Sequence, residues 1–258
     1  NLNTGRAQLS SATRATQAAS LAFGGTSTPG THDETESYNG STWTEVGDMN
    51  TPAYSRGGAG TATSAIAYGG TPPTTVNAET FDCTSWTEVG NLNTARYHIR
   101  GSGATNTAVI AAGGRTPGTN HDIAESFNGT SWTEVGDLNT GKGAGCVAGI
   151  LTAAIYFGGG PSHTVDTESW NGTAWTEVGN LNTARLQLGG AGLVPAALAF
   201  GGETPSATGA TEAFNGTAWT EVNDLSTARG QNAGSGTSTA GLAFGGTPDV
   251  AATEEWDL

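Results

Sequence analysis

The chain has 258 residues, 41 of them glycine, and 23 acidic against nine basic residues give it a net charge of −14 although only 12% of it is charged. That length allows one large all-β domain or two small ones, each with a real core. No apolar run approaches the roughly 18 residues of a spanning helix, and no cationic patch suits nucleic acid or an anionic membrane surface.

Two cysteines form no disulfide framework and leave the redox compartment open. The opening at Asn1, without a charged leader, reads as a signal peptide removed or never present.

Repetition decides the architecture. The chain reads as one domain, 1–258, of six units near residues 5–46, 53–89, 96–135, 142–178, 185–222 and 229–258. An LNTxR-like turn recurs at Leu2, Met49, Leu92, Leu138, Leu181 and Leu225. A Gly-Gly pair ends an apolar segment at Gly24, Gly69, Gly113, Gly158, Gly201 and Gly245. A Glu-x-aromatic step follows at Glu36/Tyr38, Glu79/Phe81, Glu125/Phe127, Glu168/Trp170, Glu212/Phe214 and Glu254/Trp256. Trp-Thr-Glu-Val begins at Trp43, Trp86, Trp132, Trp175 and Trp219, and the sixth unit has none. Equivalent positions lie 43 to 47 residues apart, the period of four-stranded propeller blades.

The fifth unit predicts strands over 185–192, 196–201, 211–214 and 219–222, with Asn215-Gly216 as the tight turn before the last. No segment has helical apolar spacing. In the second strand one parity is large (Leu21/Phe23, Ile66/Tyr68, Ile155/Phe157, Leu198/Phe200, Leu242/Phe244) and the other small, with Tyr156 the exception. A bulky face against a flat one lets neighbouring sheets approach to about 10 Å. The Gly-rich first strands suit a crowded ring centre. The five Trp residues are expected to be structural, near the Gly-Gly pairs.

Apolar strand with Gly-Gly, then Glu-x-aromatic, then Asn-Gly-x-x-Trp: this pattern resembles the kelch repeat and covers essentially the whole chain. The resemblance implies a six-bladed kelch-like β-propeller, with the first strand of the pattern lining the channel and the Trp strand outermost. The Thr-, Gly- and Ala-rich near-copies of SWTEVGDLNTAR also resemble kelch-like proteins of marine bacterial viruses. The missing Trp strand predicts a three-stranded last blade and a ring closed by packing the last unit on the first. Its open edge is expected to be covered by a neighbouring subunit or by further chain.

Most of the acidity belongs to the repeat. Eleven acids are Glu at the two repeated positions, and Asp48, Asp137 and Asp224 lie in the repeated turn. They are expected to pair with Arg6, Arg96, Lys142, Arg185 and Arg229 or with turn amides. The second unit has Ala53 where a base belongs, and Arg56 is expected to substitute after a small register change.

Three of the four histidines fall in the loop after Gly-Gly: His32-Asp33, His121-Asp122, and His163 with Asp166. Loops of separate blades rarely bring ligands within the 2.0–2.2 Å a metal demands, so no metal and no other cofactor is expected. A galactose-oxidase-like copper site would use Tyr97-His98 with a cysteine, but Cys83 and Cys146 fall in different units. No Gly-x-Ser-x-Gly elbow and no phosphate loop is present. Four Asn-Gly-Ser/Thr sequons, at Asn39, Asn128, Asn171 and Asn215, fall in the hairpin that already needs Asn-Gly.

The loops after Gly-Gly vary most between units, and repeat folds place binding determinants in such loops. The expected site is this loop face, with His32, Asp33, Arg115, His121, Asp122, His163 and Asp166 as candidates. The expected function is non-enzymatic recognition or structure, extracellular or on a virion. Its partner would be a cell-surface protein or glycan, or a neighbouring virion subunit, with no nucleic acid and no membrane insertion. The alternatives are the platform of a secreted enzyme and an intracellular kelch adaptor.

Overall fold

The computed structural model describes residues 1–257; residue 258, the last of the sixth unit, lies outside them. Among the described residues there is no helix, so none long and apolar enough to cross a membrane. The strands form five four-stranded antiparallel sheets and one of three strands, arranged as a six-bladed β-propeller. In the fifth blade, Gly189–Leu193, Ala196–Phe200, Thr211–Phe214 and Trp219–Glu221 pair in sequence order. The first, Gly-rich strands pack on one another round the axis. The channel strand is thus the Gly-rich one, and the apolar Gly-Gly strand is second.

Glycine at the centre answers a steric demand. Where the second strand ends in an aromatic residue, as it does in every unit but the third, the ring of Phe23, Tyr68, Phe157 or Phe200 lies over the inner strand of the next blade. A Cβ on Gly58 would sit 2.8 Å from Phe23 Cζ, and one on Gly190 2.8 Å from Phe157 Cζ. No side chain fits at those distances.

Residues 185–188, expected in the first strand, lie outside it, because Gln187 has φ 55°. It belongs to a belt of six left-handed residues, Gln8, Ser55, His98, Ala144, Gln187 and Gln231, with φ between 51° and 59°. Each amide donates to the belt carbonyl of the preceding blade: Ser55 to Gln8 (3.0 Å), His98 to Ser55 (2.8 Å), Ala144 to His98 (3.0 Å), Gln187 to Ala144 (2.6 Å) and Gln231 to Gln187 (2.8 Å). Gln8 donates to Gln231 (2.9 Å) and closes the circle. A second belt runs from the second glycine of each Gly-Gly pair to the next unit's base position, from Gly25 to Ala53 round to Gly246, which donates to Arg6 (2.9 Å). The ring is therefore closed, last unit on first.

The five tryptophans are each 5% exposed. Trp86 lies between Phe23 of the blade before (5.0 Å) and Phe81 of its own (5.2 Å), and Trp219 between Phe157 (4.9 Å) and Phe214 (5.1 Å). The Gly-Gly pairs face other groups: the base-position carbonyl and the turn residue, Met49 at Gly24, Leu181 at Gly158 and Leu225 at Gly201. Aromatic neighbours, rather than absent side chains, make the indole pockets.

Tyr156, the exception in the small parity, answers a gap. Its partner blade has Ala112 where others have Phe23, Tyr68, Phe157, Phe200 and Phe244. Tyr156 fills that volume from the opposite side, and the buried cluster there holds both Ala112 and Trp175. Gly145 leaves room for the ring, since a Cβ would lie 2.5 Å from Tyr156 Cε1.

The sixth blade has three strands, Ala233–Gly236, Ala240–Phe244 and Thr253–Asp257. In the other five, the turn residues Asn3, Asn50, Asn93, Asn139 and Asn182 donate Nδ2 to the carbonyl of the outer-strand Trp. The sixth unit has Ser226 there, which reaches only Glu254. Its edge strand carries Glu254, Glu255 and Asp257, and charge on an edge discourages further pairing.

Candidate functional site

The repeated carboxylates are structural. Each third-strand Glu meets a base inside its blade: Arg6–Glu36 at 2.7 Å, Arg96–Glu125 at 2.5 Å, Lys142–Glu168 at 2.7 Å, Arg185–Glu212 at 2.8 Å, and Arg229–Glu254. The second Glu oxygen accepts the turn amide, as from Asn93 (2.8 Å) and Asn182 (2.7 Å). In unit two Arg56 does pair with Glu79, but at 3.6 Å and with no register change. Ala53 keeps the base position's backbone bond to Gly25, and Arg56 reaches in from three residues on. Asp48, Asp137 and Asp224 accept the first amides of the third strands, at 3.0 to 3.2 Å. The Glu residues of the Trp strands, such as Glu45 and Glu134, are exposed and make no ion pair among the described residues.

Antiparallel order puts the second-to-third loops and the LNTxR turns at one end of the ring, the Asn-Gly hairpins at the other. All seven loop candidates lie on that first face. Two of the loops fold into short hairpins, Thr26–Ser27 with Gly30–Thr31 and Arg115–Thr116 with Thr119–Asn120.

Two of the three loop histidines are held within their own loops. His32 Nε2 lies 2.6 Å from the Ser27 hydroxyl and Nδ1 2.8 Å from Glu34. His121 Nε2 lies 3.0 Å from the Thr116 hydroxyl, and burial pushes its pKa down. Asp33 and Asp122 use backbone carbonyls to accept Met49 and Leu138, and Asp166 likewise accepts Gly158. Arg115 lies over the Tyr97 ring, 6.0 Å from its centroid. His163 makes no side-chain hydrogen bond among the described residues. No three of the described His, Cys, Asp and Glu residues gather as a metal site requires.

The loops differ in content but are clamped alike. The carbonyl of the second glycine accepts an amide across the loop in every unit: from His32 to Gly25 (2.9 Å), Thr75 to Gly70 (3.1 Å), His121 to Gly114 (2.8 Å), Thr164 to Gly159 (3.0 Å), Thr208 to Gly202 (2.9 Å) and Val250 to Gly246 (3.0 Å). The clamped stretch is shortest between Gly246 and Val250 and longest, equally, between Gly25 and His32 and between Gly114 and His121.

The ring centre holds what sequence reasoning passed over. A cavity of about 40 Å³ is lined by inner-strand glycines with Ser10, Ser11, Arg100, Cys146 and Asn232. Arg100 donates only to carbonyls: Nε to Gly145 (3.1 Å), Nη1 to Arg56 (3.3 Å) and Ile99 (3.1 Å). Asn232 is 5% exposed, and neither of its amide atoms has a partner among the described residues. Cys146 and Cys83 are both free thiols, and burial pushes Cys146 up to about 11. His98, paired with Tyr97 in the copper-site reading, is buried beside these groups and is pushed down to about 2, by burial first and then by Arg100 and Arg115. The signal for Arg100 and Asn232 was in the repeat. The other units put Ser10, Gly57, Cys146, Gly189 and Ala233 in the Arg100 column, and Leu9, Ile99 and Leu188 are among those in the Asn232 column.

No family model and no curated protein matches the chain.

Proposed function

We propose that this propeller is a kelch-type recognition or structural module, without enzymatic activity, displayed outside the cell or on a virion. Its loop face binds a cell-surface glycan or protein, or a neighbouring virion subunit. The observation that carries this reading is the constant clamp beneath variable loops: six identical amide bonds fix the loop bases while length and side chains change above them. Such a division suits a scaffold presenting interchangeable contacts. The repeated acids support it too, since ion pairs and turn amides occupy most of them. The face carries short hydroxyls and backbone groups that hydrogen-bond sugars.

The test replaces residues 116–122 with the corresponding stretch of the fifth unit, then treats each loop in turn. Binding is read on a printed array of cell-surface glycans and on immobilised cell-envelope protein. The expected result is an unchanged melting temperature and an altered binding pattern. Grafts on every loop that leave binding untouched would refute the reading.

A further inference from the structure

We propose that the central channel binds a small monoanion, a carboxylate or inorganic ion of acetate size or less, between Arg100 and Asn232. The argument starts from two departures at the same cavity. Arg100 stands in a column that the other units fill with Ser10, Gly57, Cys146, Gly189 and Ala233, all small. Asn232 stands where Leu9, Ile99 and Leu188 serve as core. The fold needs neither residue, because other blades are built without them. Local rules broken together at one place are where function is expected.

The chemistry at the cavity has one sign. Arg100 is the only charged residue lining it. No carboxylate lies within ion-pair distance of the guanidinium among the described residues, and Nη2 has no protein partner there. Two donors beside it are buried without a partner: Asn232 Nδ2, whose Oδ1 is also unpaired, and the Tyr68 hydroxyl behind Gly101. Burial keeps the neighbouring Tyr68 and Tyr156 hydroxyls and the Cys146 thiol protonated, so none supplies a counter-charge. Arg100 is half-buried without a carboxylate partner and Asn232 is buried with its amide unsatisfied. A cation short of counter-charge and a buried donor without an acceptor are both costly, and a bound anion would serve the guanidinium and the Asn232 Nδ2 together. The cavity holds about three waters' volume. That volume suits formate, acetate, nitrate or chloride.

The experiment measures the melting temperature of the full chain at constant ionic strength, with sodium gluconate, several times the cavity's volume, progressively exchanged for acetate, formate or chloride. A ligand that binds only the folded state raises the melting point saturably. The expected result is a rise of several degrees with a saturating dependence for at least one of the three. The carboxylate and chloride arms identify which source of negative charge is preferred. Arg100→Ser, the residue of unit one, is expected to abolish the response. Asn232→Leu, the residue of units one and five, is expected to melt at or above the wild type in gluconate, with its midpoint shifted at least tenfold to higher anion concentration. No saturable rise in the wild type, or the same rise in Arg100→Ser, overturns the proposal. Should Arg100→Ser not fold, an unshifted midpoint in Asn232→Leu overturns it alone.

Discussion

Belt positions explain why one histidine is unlike the others. Three of the six are glutamine, and His98 takes the same left-handed conformation as Gln8, Gln187 and Gln231. Its ring is 7% exposed and Nδ1 has no partner among the described residues. With the folded pKa near 2 and an unfolded value of about 6.5, the unfolded chain takes up a proton that the native state refuses. The contribution of the neutral ring is fully present above pH 6.5 and is lost as pH falls toward 2, by about 1.4 kcal/mol per unit. His98→Gln is expected to fold normally and to lose stability less steeply, by about 2–3 kcal/mol at pH 4.5, as read by denaturant unfolding. Parallel pH profiles for the two proteins would mean that His98 is protonated in the native state. None of this was legible from His98 alone, because a belt of backbone bonds imposes no residue type. Asn93 and its equivalents were missed for a related reason: an Asn in an LNT turn looks like turn chemistry, and only the structure places its amide between Glu125 and the Trp132 carbonyl.

At the scale of one blade, the second is the weakest built. Arg56 Nε and Nη2 and Glu79 Oε1 are buried without hydrogen-bond partners. In the fifth blade the base sits at Arg185 and Leu188 occupies the Arg56 column, with Arg185 donating to Gly201 (3.0 Å) and Glu212 (2.8 Å). Arg56→Leu alone strands Glu79 and should cost about 3–5 kcal/mol. Ala53→Arg with Arg56→Leu restores the arrangement of the fifth blade and should exceed the wild type by about 1–3 kcal/mol, since both Nη groups then find partners, as those of Arg185 do. Calorimetry of the single and double variants checks the coupling, and a double variant no better than the single one refutes it. The substitution of Arg56 for a base at 53 was readable from composition and position. The way it is done was not, since repeat spacing alone cannot separate a register shift from a longer reach. Strand order and inner glycines were readable because the absence of side-chain volume is itself a sequence signal.

At the scale of the molecule, closure makes the six loops one surface. Six units, the three-stranded last blade and the single loop face were all legible, because each is a matter of which motif recurs and which does not. The binding candidates were legible only as a face. His32 and His121 look like site residues in sequence, yet each is held by a hydroxyl of its own loop, a local bond that spacing does not announce. The guard on the sixth blade's edge was visible in Glu254, Glu255 and Asp257 but acquires meaning only once that strand lies outermost. The seam between last and first units carries the same backbone bonds as the internal interfaces, Trp43 donates to the Thr253 hydroxyl (2.9 Å) as Trp86 does to Thr35 (2.9 Å), and Ser11 donates to the Gly234 carbonyl (2.7 Å).

Residue-resolved hydrogen exchange tests that closure most directly, because amides that open only with the whole fold exchange at the global rate. The Gln8 and Gly246 amides cross the seam, and Ser55 and Gly70 are their counterparts at internal interfaces. The closed ring requires all four to be protected to within about tenfold of one another. Gln8 and Gly246 exchanging orders of magnitude faster than Ser55 and Gly70 would describe an open arc and contradict the account.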